Sequence, residues 1–186
     1  MTGIPAIERL VAKYLVWRWT RVNPPSITVP ILRSQQEELV GLVERAGGVE
    51  SEAARARVRI KRLPGLESSS LEYSLAMVAD HLARVNHAIA GTITTLKQGE
   101  RSKTSADPAH FKPRLGVEPA AALADYDASI AAVQRAIEPP DHSNDVTHPH
   151  PWFGELSAET WMCFPAFHGQ IHAKQARRIV VGLRRG

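Results

Sequence analysis

Six aliphatic residues, Leu71, Leu75, Val78, Leu82, Val85 and Ile89, recur at alternating steps of four and three. Successive helical residues turn by about 100°, so this spacing lays them along one stripe of a helix. A stripe of that length must be covered by neighbouring elements. Strand-like alternation is scarce: only Arg57-Val58-Arg59-Ile60-Lys61 runs with period two, and it reads as a short strand or an extended linker. The chain is therefore expected to be all-α, with its helices packed as a bundle.

Other helices follow from the same spacing. Pro5 is placed to open a first one, carried on by Ile7, Leu10, Val11, Tyr14, Leu15 and Arg18 and broken at Asn23-Pro24-Pro25. A second runs from near Val29-Pro30 through Leu32, Gln35, Leu39, Leu42 and Val43 to Gly47-Gly48. Ser51-Glu52-Ala53-Ala54-Arg55 reads as a short helix. Ser69 and Glu72 have capping-box spacing, which predicts the start of the Leu71–Ile89 helix. Lys97 to Val117 reads as a loop. A further helix begins at Glu118-Pro119, buries Leu123, Tyr126, Ile130, Val133 and Ile137, and stops at Pro139-Pro140. Asp141 to Phe153 reads as a proline-rich loop holding His142, His148 and His150, expected to be exposed, with the alternative that one of them reaches over a site in the bundle as a lid. The last helix opens at Ser157, and Pro165 within it predicts a kink a turn before His168.

The chain has 186 residues, with 44% hydrophobic and 23% charged residues, which fits one domain spanning 1–186. No apolar run approaches the roughly 20 residues that span a bilayer. Residues 1–20 carry Glu8, Lys13 and Arg18 and lack a signal-peptide pattern. Cys163 is the only cysteine, so no internal disulfide forms and a cytoplasmic setting is expected. It reads as a packing residue. The net charge is +4, and Arg55 to Arg62 holds five cations in eight residues. With no aromatic residues between them, these read as a solvated face rather than a nucleic-acid surface.

Three histidines stand out. His168 and His172 are four apart on the last helix, close to one face. His81 borders the buried seam of the Leu71–Ile89 helix. Two imidazoles from one helix and a third from a facing helix can share one divalent ion and leave coordination positions open. Ordinary half-buried histidines would show the same spacing, and periodicity alone leaves the two readings balanced.

The segment Ser74-Leu-Ala-Met-Val-Ala-Asp-His81-Leu and the closing His168-Gly-Gln-Ile-His172-Ala-Lys-Gln175 resemble the two histidine motifs of DinB-like metalloproteins, a family that includes YfiT-like thiol transferases. His148-Pro-His-Pro-Trp-Phe-Gly-Glu-Leu-Ser-Ala-Glu-Thr-Trp161 is similar to the entry to the last helix in a branch of that family. The resemblance covers roughly residues 29–183 and implies a four-helix bundle, with residues 1–28 as an added N-terminal helix. It implies a metal triad of His81, His168 and His172 holding zinc or nickel first, manganese or iron next. It further implies a low-molecular-weight thiol as cofactor, a small-molecule substrate and a homodimer. The corresponding activity is thiol transfer or hydrolysis. The alternative is a non-catalytic metal-binding or structural bundle acting through oligomerisation, and a nucleic-acid binder ranks last.

Around this triad, Gln175 and Tyr126 are pocket candidates. Gln175 could instead support a metal ligand from behind, and Tyr126 reads by default as core. Asp80 is expected to point to solvent. Trp152, Phe153 and Trp161 read as core aromatics rather than a substrate box.

Overall fold

Three serines set where helices begin. Ser51 Oγ accepts the Ala53 N–H, Ser74 Oγ accepts the Met77 N–H at 3.1 Å, and Ser157 Oγ accepts the Thr160 N–H at 3.3 Å. Each satisfies a donor that the first helical turn cannot bond internally. The computed structural model describes residues 6–103, 107–138 and 145–184, with side chains from Leu10 onward. Pro5, Pro139, Pro140, His142 and Arg185 lie outside the described residues, and so do the readings that fall on them.

The helices are α1 (Ala6–Val22), α2 (Thr28–Arg45), the single turn α3 (Glu52–Arg55), α4 (Leu75–Lys97), α5 (Pro119–Ile137) and α6 (Ala158–Leu183). Two antiparallel hairpins accompany them. β1 (Val58–Arg59) pairs with β2 (Glu72–Tyr73), and β3 (Thr147–His150) pairs with β4 (Gly154–Ser157). The helical class expected from the periodicity is observed. β1 falls in the period-two stretch Arg57–Lys61, while β3 lies where a loop was expected. The start of α4 is corrected too. Ser74 caps it, while Ser68–Ser70 forms a 3-10 turn and Glu72 enters β2.

α6 packs against α1, α2 and α4, while α4 also packs along α5 and α2 touches α5. Leu32, Leu75, Val78, Ile93, Leu96, Ile130, Val133, Met162 and Ile179 are fully buried between them. Each contributes roughly 1.5–3 kcal/mol through removal from water. α6 runs unbroken through Pro165, and the histidines beyond it still point inward. No helix among the described residues is long and apolar enough to cross a membrane.

Close approach to α6 depends on a missing side chain. A Cβ on Gly169 would overlap Gln35 Oε1 and Cδ. The same Gln35 side chain is buried and donates its Nε2–H to the Ala166 carbonyl at 3.0 Å. Gly169→Ala therefore displaces Gln35 from its hydrogen bond to the Ala166 carbonyl in a packed interface. Overpacking costs about 1–3 kcal/mol and the lost hydrogen bond about 1 kcal/mol. The gain in helix propensity returns about 1 kcal/mol. A net loss of about 1–3 kcal/mol is expected in urea denaturation; a variant as stable as wild type would show that α2 and α6 are not packed this closely.

Candidate metal centre

α4 and α6 face each other, and this brings His81 beside His168 and His172. One ligand atom from each lies within 4.8 Å of the others. The ring centroids are 4.5 Å apart for His81–His172 and His168–His172, and 5.2 Å apart for His81–His168. The grouping read from the helical spacing is thus present in three dimensions, and the three histidines could hold a metal ion.

The outer ring nitrogens of His81 and His172 are held by the protein. His81 Nδ1 lies 2.7 Å from the Phe111 carbonyl, which can only accept, so Nδ1 carries the proton and the Nε2 lone pair is left. Gln175 Nε2–H donates to the Ser70 carbonyl at 2.6 Å, which turns its Oε1 toward His172 Nδ1 at 2.7 Å. His172 Nδ1 is therefore the protonated one, and its Nε2 lone pair faces inward. That Nε2 is 3.1 Å from His168 Nε2. In the metal-free protein, His168 donates its Nε2 proton across this gap. That tautomer leaves His168 Nδ1 buried with no partner.

The residues fit a metal ion. Two nitrogens bound to one ion at their usual distances sit about 3.3 Å apart, and the His168–His172 pair is already near that spacing. Burial pushes the His81 pKa down to about 4. Burial, reinforced by the neighbouring imidazoles, pushes His168 and His172 well below the ordinary value. The rings are neutral at neutral pH, which is the form that binds a metal. Carbonyl and amide partners on the far nitrogens are the usual supports for metal-binding histidines.

A cavity of about 760 Å³ opens onto the three rings. Trp152, Phe153, Trp161 and Phe164 line it, with Trp19 of α1. Trp152, Phe153 and Trp161, read as core aromatics, are thus also cavity walls. The sequence could not separate the two roles, because a ring can be buried in the core and still show one edge to a cavity.

His150 and His148 are corrections. Both are buried, at 8% and 5% exposure, because β3 turns them inward on alternate positions. His150 lines the cavity, stacked on Phe153 at 4.4 Å between centroids. Its Nδ1 accepts the Trp152 backbone N–H at 3.2 Å, so the proton of the neutral ring sits on Nε2. Burial and the neighbouring His148 push its pKa down to about 3. The histidines at 148 and 150 alternate across Pro149, and that period of two was the signal available in the sequence.

Asp80 is another correction. It is fully buried, not solvated. Its Oδ2 accepts the Arg114 backbone N–H at 2.8 Å, and its Oδ1 accepts the guanidinium at 2.5 and 2.8 Å. This clamps the loop that brings the Phe111 carbonyl to His81. Neither Tyr126 nor Gln175 lines the cavity. Tyr126 is core, fully buried with its hydroxyl unpartnered, and Gln175 lies behind His172. Cys163 is buried, its Sγ 3.3 Å from the Asn23 carbonyl and its pKa pushed up to about 12 by burial, in keeping with a packing role. In the basic segment Arg55 pairs with Glu118 at 2.6 Å, and Arg57 and Arg59 lie 3.8 Å from Glu72.

No family model matches the chain, and neither a curated protein nor a solved structure matches it.

Proposed function

We propose that the chain is a DinB-like metalloprotein. In this reading α2, α4, α5 and α6 form the four-helix bundle and α1 is the added N-terminal helix. His81, His168 and His172 hold a divalent ion, zinc or nickel first, and the protein carries out thiol transfer or hydrolysis on a small molecule. The observation that carries the reading is the inward-facing His168–His172 Nε2 pair at 3.1 Å, with His81 beside it and the outer nitrogens of His81 and His172 already held.

A bound ion with open positions supplies Lewis acidity and stabilises a thiolate or a developing negative charge. The chain's own residues do the rest. Phe111 and Gln175 orient two of the imidazoles. The aromatic wall excludes water from one side of the triad. His150 offers a neutral N–H to an oxygen or sulfur of a ligand in the cavity. The non-catalytic alternative calls for a closed site, and the cavity reaching all three histidines favours the open one.

Cobalt substitution tests this. Cobalt(II)-loaded protein is expected to show visible ligand-field bands, and a small thiol such as 2-mercaptoethanol is expected to add a near-ultraviolet thiolate charge-transfer band. His172→Ala is expected to lack both. Ligand-field bands that no thiol perturbs would remove thiol transfer and leave hydrolysis. No bands at all would remove the metal site.

A further inference from the structure

The charges around the cavity are one-sided. Its lining includes four cations, Arg18, Lys112, Lys174 and Arg178, and one carboxylate, Glu67. Glu67 is engaged by Lys112 at 2.5 Å. Among the described residues no carboxylate pairs with Arg18, Lys174 or Arg178. All three are exposed, so they stand at the mouth rather than inside. Lys174 and Arg178 are four apart on α6 and share a face. Arg178 Nη1 donates to the carbonyls of Lys61 and Arg62 at 3.2 and 3.4 Å, which holds its guanidinium against the mouth.

The wall leading inward is apolar. Val11, Leu15 and Val22 of α1 line the cavity and remain 51%, 46% and 67% exposed, so apolar surface continues from solvent to the aromatic interior. The volume of about 760 Å³ lies in the range of small-molecule sites. With no metal at the triad, a charged group deep among those rings would lose its hydration without a counter-ion. At the mouth it keeps water and gains cations.

We infer that this cavity takes an amphipathic organic anion, its apolar body along α1 and the aromatic wall and its acid group against Lys174 and Arg178. The inference rests on the proposed small-molecule site in placing the inner end of the ligand beside the triad and the His150 N–H. The mouth charges themselves do not depend on a metal.

Dodecanoate, 1-dodecanol and butyrate serve as probes, read by tryptophan emission, since Trp19, Trp152 and Trp161 line the cavity. Dodecanoate is expected to bind saturably and at least about tenfold more tightly than 1-dodecanol, with butyrate weaker than either. The double variant K174E/R178E, altered at exposed positions, is expected to weaken dodecanoate about tenfold and leave 1-dodecanol unchanged. Equal affinity for acid and alcohol, an unaffected double variant, or no saturable binding would each overturn the inference. His168→Ala separates it from the metal reading. Dodecanoate binding that survives in His168→Ala supports the inference even if no metal binds. Binding lost in His168→Ala but kept in K174E/R178E would place the acid at the triad and overturn the mouth assignment.

Discussion

Protein purified without a metal-affinity tag is expected to carry about one equivalent of divalent metal, and His172→Ala almost none. His172 has the greatest leverage because it is the most constrained of the three. Gln175 fixes its tautomer, the Ser70 carbonyl fixes Gln175, and its ring is only 3% exposed. Removing it takes away one ligand and leaves the His168 Nε2 facing empty space. Gln175→Ala leaves all three ligands in place but frees the far nitrogen of His172; a loss of about 10–100-fold in affinity is expected. Metal at a thousandfold excess over its dissociation constant stabilises a folded protein by about 4 kcal/mol. Chelation should therefore lower the melting temperature of wild type and leave that of His172→Ala unchanged. Elemental analysis and thermal melts with and without chelator read both effects. A wild type that is metal-free, folds normally and gains no stability from added zinc would end the metal reading.

Metal-free protein is expected to lose much of its stability between pH 7 and pH 5. Four histidines, His81, His150, His168 and His172, are held below 6.5, with His81 at about 4 and His150 at about 3, chiefly by burial. In the unfolded chain the same rings titrate near 6.5. Between these values the unfolded chain binds more protons than the folded one, so stability is full above about pH 6.5 and falls as pH drops. At pH 5 the effect is about 2 kcal/mol for each of these two rings. Together they remove about 4 kcal/mol, a large share of a typical stability of about 5–15 kcal/mol. His168 and His172, shifted in the same direction, add to the loss. The window closes for His81 near its folded value, about pH 4, and for His150 about one unit lower. His150→Gln is expected to reduce the acid sensitivity by about 2 kcal/mol at pH 5. Zinc should shift the acid transition to lower pH, because bound imidazoles resist protonation. Urea denaturation at pH 8, 6 and 5 measures this, and a stability that is flat across that range would contradict the burial of these rings.

Much of the helical layout was legible because periodicity records which face a helix buries. Glu118-Pro119 marks the start of α5, Ser157 that of α6 and Ser51 that of α3, as expected. The expected start of α4 was early because Ser69 and Glu72 carry the spacing of a cap, yet Glu72 pairs with Arg59 in a hairpin and Ser74 does the capping. The β3–β4 hairpin escaped notice because prolines at 149 and 151 suppress the ordinary strand signal. Asp80 looked solvated because its partner, Arg114, is 34 residues away across a loop that has no periodicity to read.

What the sequence determined by itself is local: a 3.6-residue repeat that makes long helices, and an i, i+4 histidine pair that must lie near one face of α6. Those follow from backbone geometry and need no partner. Only the tertiary structure decided that His81 meets the pair, that Phe111 and Gln175 choose the tautomers, that His150 turns into the cavity, and that Lys174 and Arg178 flank its mouth. Those depend on contacts between residues distant along the chain, where helix packing and loop anchoring, rather than neighbouring sequence, set which atoms come within reach.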